Sequence, residues 1–343
     1  MAHESFDIVM PLFCIRWNTR AVLEGLTTHY QPRAIHIITL PGEVEPLRNA
    51  SQEWETAPLH IHDEEVFFQA NMGLTKTAIC EELNLGKSLY NPGWFYQQIL
   101  KVGAFEGIPG LSEWYLVWDS DLLPVATWPV LRGEGNDLEH MFALIQHNQY
   151  GNPAIVGKWA TWIESVLGVT PLTDEVGTFI PHHMWFKQEH LKTLAAQLNK
   201  YYDSTDSWPA LMMRSANDFD TYGEYWIYSS WAAAQDPDSV CCYPYDQYGE
   251  TTERFFDDGT GMFSIALRKY LSVETTGPDD GFSPSYEEVS AFINAEYGAD
   301  NLPSSLSFES SPRHLKKNSE TMHIEETRSR WNPRMAGNPV VVA

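Results

Sequence analysis

The segment WYLVWDSDLLP, residues 114–124, decides the reading of this chain. Its first five residues are apolar on both faces of an extended backbone. A strand like that must be covered on both sides, as in a parallel sheet flanked by helices. The run then ends in two acids one residue apart, Asp119 and Asp121, with Pro124 stopping the strand. A carboxylate removed from water needs a proton or a cation. A strand ending at Asp119 lets both side chains reach one ligand. Two hard oxygen donors of this kind suit Mg2+ or Mn2+. The alternative is a solvated turn whose acids simply face water.

Working outward, FDIVMPLF (6–13) and AIHIITL (34–40) read as buried strands with a helix over 18–30 between them. EVFFQA (65–70) reads as a third strand. NPGWFYQQILKVGAF (91–105) has helical spacing, with Pro and Gly where a helix begins. This alternation predicts an α/β fold, a mostly parallel, doubly wound sheet whose ligands bind beyond the carboxyl ends of the strands. The second half is less regular. TFIPHHMWF (178–186) reads as a strand, and 187–202, 219–234 and 285–297 as helices, the last opened by Ser285 and Glu288 in capping-box spacing. Ser, Pro, Arg and Asn dominate from about residue 302. The expectation is one domain over 1–302, with a donor-binding half to about 130, an acceptor half over 131–302, and a disordered tail over 303–343.

The net charge is −24. Residues 303–343 hold six Lys/Arg against four Asp/Glu, so the body carries −26. Such a body repels phosphate backbones and anionic lipid heads, which argues against nucleic acid or a membrane surface as partner. A phosphate-bearing substrate would need a metal cation to mediate. The four cysteines form no CxxC pair and read as reduced thiols. No basic-apolar leader opens the chain and no apolar run reaches membrane-spanning length, so a soluble, cytoplasmic protein is expected.

Within GWFYQQILK, Trp94, Gln97 or Gln98, and Lys101 share a helix face, where they could stack on and hydrogen-bond a nucleotide. A plain amphipathic helix would look the same. Arg16 sits in the loop after the first strand. Glu224 heads an apolar stripe with Ile227, Tyr228 and Trp231, and desolvation there would make it a better base. His182 and His183 are consecutive on an expected strand, so only one can enter a given site.

Taken together, GWFYQQILKVGAF, WYLVWDSDLLPV, PHHMWF and GEYWIY resemble, in order from about residue 6 to 232, a branch of the GT-A-type nucleotide-sugar glycosyltransferases. Trp226 and Ser229 depart from that branch, where an acid and a glycine are usual. The resemblance implies metal-dependent transfer of a sugar from a nucleotide-diphosphate sugar to a hydroxyl of a glycan or other acceptor. It implies Asp121 and Asp119 as metal ligands; of the two histidines, His183 is the candidate to complete the metal shell or hold the acceptor. Asp119, Ser120, Trp94, Gln97, Lys101 and Arg16 would contact the donor. Glu224 would be the base of an inverting reaction, with Asp220 as the fallback. Trp208, Tyr222, Tyr225 and Trp226 are the aromatic residues placed to receive an acceptor sugar. Two other readings stand beside it: an Asp-x-Asp phosphotransferase, and a non-catalytic carbohydrate- or nucleotide-binding protein.

Overall fold

Strands whose two faces are both covered set the plan of the molecule. The computed structural model describes residues 5–82, 92–127, 130–132, 139–146, 153–172, 177–178, 182–216, 221–244, 252–274 and 280–309. Its strands are β1 (Asp7–Leu12), β2 (Ala34–Thr39), β3 (Leu59–Asp63), β4 (Trp114–Trp118), β5 (Leu122–Pro124) and β6 (Leu131–Arg132). They continue as β7 (Glu139–Gln146), β8 (Gly177–Thr178), β9 (His183–Lys187), β10 (Val240–Pro244), β11 (Thr252–Phe256) and β12 (Ser305–Glu309).

The central sheet has five strands in the order β3-β2-β1-β4-β9. The first four run parallel, and β9 pairs antiparallel with β4. The protein is therefore mixed α/β with a mainly parallel central sheet. Every residue of β1, β2 and β4 is buried, which is why these strands read as unbroken apolar runs. Parallel neighbours require crossovers, and the helices Thr19–Tyr30 and Pro92–Val102 lie in two of them. Gly25, in the first, lies so close to the helix Tyr286–Tyr297 that a Cβ would stand 2.9 Å from the Tyr286 ring. Two smaller sheets flank the main one. In one, β7 pairs with β10, β6 and β8; in the other, β12 pairs with β11 and β5.

Several expectations change. The third strand is Leu59–Asp63, not 65–70. Phe67 and Phe68 are buried, but they enter the core from the segment leading into the short helix Gln69–Met72. Among the described residues of the expected 178–186 strand, 183–186 join the central sheet, within β9 (His183–Lys187), and 179–181 lie outside the described residues. The helix expected over 219–234 begins at Glu224, where the extended Gly223 caps it. The tail expected from residue 303 contains β12, whose Ser305, Leu306, Ser307 and Phe308 are fully buried against β5 and β11. The ordered body therefore runs at least to Glu309, and residues 310–343 lie outside the described residues. Among the described residues no helix is long and apolar enough to cross a membrane.

His140, on β7, stacks on Trp114 with centroids 3.7 Å apart and planes 11° apart. Burial, with help from the nearby charge of Lys187, pushes its imidazole down to about 3. The native state thus refuses a proton that the unfolded chain accepts near pH 6.5. Its contribution is fully present above pH 6.5 and is lost as the pH falls toward 3. Between pH 6.5 and 4, wild type should lose about 1–3 kcal/mol more stability than His140→Phe. Urea unfolding at stepped pH measures this, and equal slopes for the two proteins would remove His140 as the cause.

Candidate active site

The two acids converge because β4 ends in a tight turn. Leu122 N donates to Asp119 O at 3.0 Å, and Trp118 Nε1 donates to Leu122 O at 2.7 Å, closing the reversal into β5. On a continuing strand Asp119 and Asp121 would share a face but stand about two residues apart along it; the turn gathers them instead. The turn is pinned from two sides. Asp119 N donates to His182 O at 2.9 Å, and Phe308 N, on β12, donates to Asp121 O at 2.8 Å. His182 precedes β9 with φ +61°, a left-handed conformation unusual for a residue with a side chain. That backbone turn brings its Nδ1 to 2.9 Å from Asp119 Oδ2. One potential ligand atom each from Asp119, Asp121 and His182 then lies within 4.8 Å of the others, all three residues being half-buried.

Behind this cluster sits a buried cation. Lys101 projects from the helix Pro92–Val102 and is 3% exposed. Its Nζ lies 2.6 Å from Asp119 Oδ1 and 2.5 Å from Glu224 Oε1, and 4.5 Å from the centre of the Tyr225 ring. Tyr225 OH donates to the same Asp119 Oδ1 at 2.7 Å. Glu224 N, at the start of its helix, donates to Gln98 Oε1 at 3.1 Å. Burial alone would raise the Asp119 carboxyl, but Lys101 and then His182 override it and hold it well below the usual carboxylate range. Burial likewise disfavours the Lys101 ammonium, and Asp119 and Glu224 more than restore it, so it stays charged. The Tyr225 hydroxyl is pushed far up, chiefly by burial and then by the two carboxylates, and remains a donor.

Asp119, Asp121, Lys101 and Glu224, all expected from the sequence, are thus gathered into one centre, with Ser120 half-buried in the turn between the acids. Other expectations are corrected. His183, the expected ligand, is buried and tilted against Trp118 at 5.1 Å, because β9 begins with it; His182 is the histidine at the acids. Gln98 rather than Gln97 meets the Glu224 helix. Lys101 is wholly engaged by carboxylates and does not present its ammonium to a phosphate. Arg16 donates to the main-chain oxygens of Phe308 (3.0 Å) and Asp257 (2.7 Å), clamping β12 and the loop after β11 to the start of the first helix. Trp94 meets Phe95 edge-on at 5.0 Å. Of the proposed sugar platforms, Trp208, Tyr222 and Trp226 are buried; Tyr222 OH donates to Met212 O and Trp226 Nε1 to Leu172 O. Asp220 lies outside the described residues. Tyr225, expected only as an acceptor platform, serves the site through its hydroxyl; its place one residue after Glu224 was the available signal.

A model of a family of unknown function, DUF6492, matches residues 16–258. The chain belongs to that family. No curated protein matches this DUF6492 member. Among solved structures it is similar to mouse xyloside xylosyltransferase 1 in its apo form, at 12% identity and a TM-score of 0.40, covering 79% of this chain and 95% of that one. It is also similar to the PaToxG glycosyltransferase, at 11% identity and a TM-score of 0.36, covering 84% and 87%. A third is the apo glycosyltransferase GlyE of Streptococcus pneumoniae TIGR4, at 10% identity and a TM-score of 0.35, covering 96% and 63%. Likeness at this level decides neither fold nor activity.

Two carboxylates and an imidazole, partly open to solvent, form a donor set that Mn2+ or Mg2+ can use, and the nitrogen favours Mn2+. Holding Asp119 in place depends on Lys101. Replacing Lys101 by Met should cost about 3–5 kcal/mol, since it leaves Asp119 and Glu224 buried without their counter-ion. Chemical denaturation reads this loss, and a loss below about 1 kcal/mol would mean the triad is not what holds the three elements together.

Proposed function

We propose that this DUF6492 member is a metal-dependent glycosyltransferase that moves a sugar from a nucleotide-diphosphate sugar to an acceptor hydroxyl. The observation that carries the reading is the cluster of Asp119, Asp121 and His182 at the carboxyl end of β4, the strand beside β1 in a sheet ordered β3-β2-β1-β4. In parallel α/β sheets this edge is where ligands bind. The sequence motifs around the two acids and around Glu224, which resemble those of GT-A-type enzymes, support the same reading.

In this proposal Asp121, His182 and the Oδ2 edge of Asp119 hold a Mn2+ or Mg2+ ion. When bound, the ion supplies Lewis-acid stabilisation of the diphosphate leaving group. The chain's own residues fix the geometry. Tyr225 and Lys101 take Asp119 Oδ1, so only the other oxygen can turn toward a ligand. The φ +61° turn aims the His182 ring at the same point. Glu224, anchored by Lys101 and by Gln98, acts as a positioning residue for Lys101 rather than as the base expected from its spacing.

Slow hydrolysis of the donor in the absence of acceptor is the assay, run across UDP-, GDP- and dTDP-sugars with Mn2+. Activity should appear with one nucleotide class and vanish in chelator and in Asp121→Ala. Turnover that survives both would end the proposal. Metal-dependent binding of nucleotide diphosphate without any hydrolysis or transfer would leave a binding protein instead.

Glu224→Gln separates its two roles. A positioning residue should lose less than about tenfold in kcat and keep its pH profile, because the amide still accepts from Lys101. A general base would lose roughly 10²–10⁴ and take the acidic limb of the kcat/KM profile with it.

A further inference from the structure

Three histidines occupy one face of the central sheet at the edge farthest from β9. His60 and His62 stand two residues apart on β3, so both project to the same face. The parallel register sets His36 of β2 beside His60, and Ile38 beside His62. The His36 ring stacks on His60 at 4.9 Å and on His62 at 5.3 Å, with planes 21° and 25° apart. His36 Nδ1 lies 3.1 Å from His62 Nε2. The other nitrogen of His36, Nε2, is 3.7 Å from Oδ2 of the fully buried Asp7. Asp7 is itself fixed by Arg33 and by Ser112 N. His36 is buried and His62 half-buried against Phe67, while His60, on the edge strand, is exposed.

We propose that His36, His60 and His62 form a second metal site, separate from the strand-end acids, that takes a borderline transition ion such as Zn2+, Co2+ or Ni2+. Two imidazole nitrogens on one such ion, at about 2.0–2.1 Å each, lie roughly 3.0–3.4 Å apart. The His36–His62 pair already has that separation. Without an ion, one of the two nitrogens must carry a proton and point it at the other; a cation in that position replaces the proton and binds both lone pairs.

No set of one nitrogen from each of the three lies within 4.8 Å of one another in this conformation, so His60, exposed on the edge strand, would supply the third nitrogen by turning its side chain off the His36 ring. Asp7 stands behind His36 with its Oδ2 3.7 Å from Nε2, beyond hydrogen-bond distance but close enough to favour the tautomer protonated there. An all-nitrogen set is poor for Mg2+ and good for Zn2+, Co2+ and Ni2+, the reverse of the oxygen-rich set at Asp119 and Asp121. Bound there, the ion would tie the edge strand β3, which among the described residues has a sheet partner on one side only, to β2. It leaves a fourth position open to water on the exposed side.

Cobalt reports the ligand set directly, since nitrogen-bound Co2+ gives visible absorption bands. Chelator-stripped full-length protein is titrated with Co2+ as wild type, Asp121→Ala, His60→Ala and the double variant His60→Ala/His62→Ala. Asp121→Ala should keep one equivalent whose affinity matches a wild-type equivalent within about twofold; any further wild-type equivalent, at the strand-end acids, should be missing from it. The retained equivalent should weaken by at least about tenfold in His60→Ala and disappear in the double variant, with far-UV circular dichroism unchanged in His60→Ala. Wild-type protein should also melt at higher temperature with Co2+ than without it, and the double variant should respond less. The proposal is overturned if Asp121→Ala removes all Co2+ uptake, or if both histidine variants bind as wild type does. Donor hydrolysis in Mn2+ tests the other site, so either reading can fail alone.

Discussion

The ammonium of Lys101, enclosed between Asp119 and Glu224, is the constraint on which the rest of the molecule depends. Its partners come from β4 and from a helix that begins 123 residues later, and Lys101 itself stands on a third element. Buried charges of this kind are tolerated only when each is paired and the remaining hydrogen-bond capacity is used. Here Tyr225 OH completes Asp119 Oδ1 and His182 takes Oδ2. The triad therefore acts as a registration device: the helix Pro92–Val102, the end of β4 and the start of the Glu224 helix can pack in only one relative position.

Much of the fold was legible because burial on both faces leaves an unmistakable mark. β1, β2 and β4 each read as continuous apolar runs, and the structure returns them within a residue or two. The edge strand β3 was missed since LHIHD alternates aliphatic residues with histidine and looks half polar. The neighbouring VFF run took its place, because apolar content alone does not separate a strand from a loop that sends Phe67 and Phe68 into the core. Those rings fit only where Gly103 and Gly107 leave room for them, a long-range match that no local pattern reports. The strand β12 was hidden in a different way. Its buried Ser305 and Ser307 have the composition of a tail, yet they are small enough to lie in a tight three-stranded sheet.

At the site, residue type was legible and role was not. Acids at the end of a buried strand, a lysine on the preceding helix and a glutamate heading an apolar stripe could each be picked out singly. That they would neutralise one another depends on tertiary placement, which no local pattern reports. The histidines show the same limit. Consecutive residues on a strand face opposite ways, so one of the pair had to be chosen. The strand starts at His183, however, and the left-handed turn before it frees His182 from that alternation.

Charge then ties the site to its chemistry. A body this acidic offers a polyphosphate little attraction, and both Lys101, beside Asp119, and Arg16, which holds β12, are already occupied. Lys101 is held between two carboxylates, and Arg16 points at main-chain oxygens. A diphosphate arriving at Asp119 and Asp121 would meet their carboxylates, with neither Lys101 nor Arg16 turned toward it. Under the proposed function, an external divalent ion would bridge that gap, and the imidazole of His182 alongside the acids would be its third protein ligand. In the proposed reading, a bound ion would supply the positive charge that Lys101 and Arg16 do not.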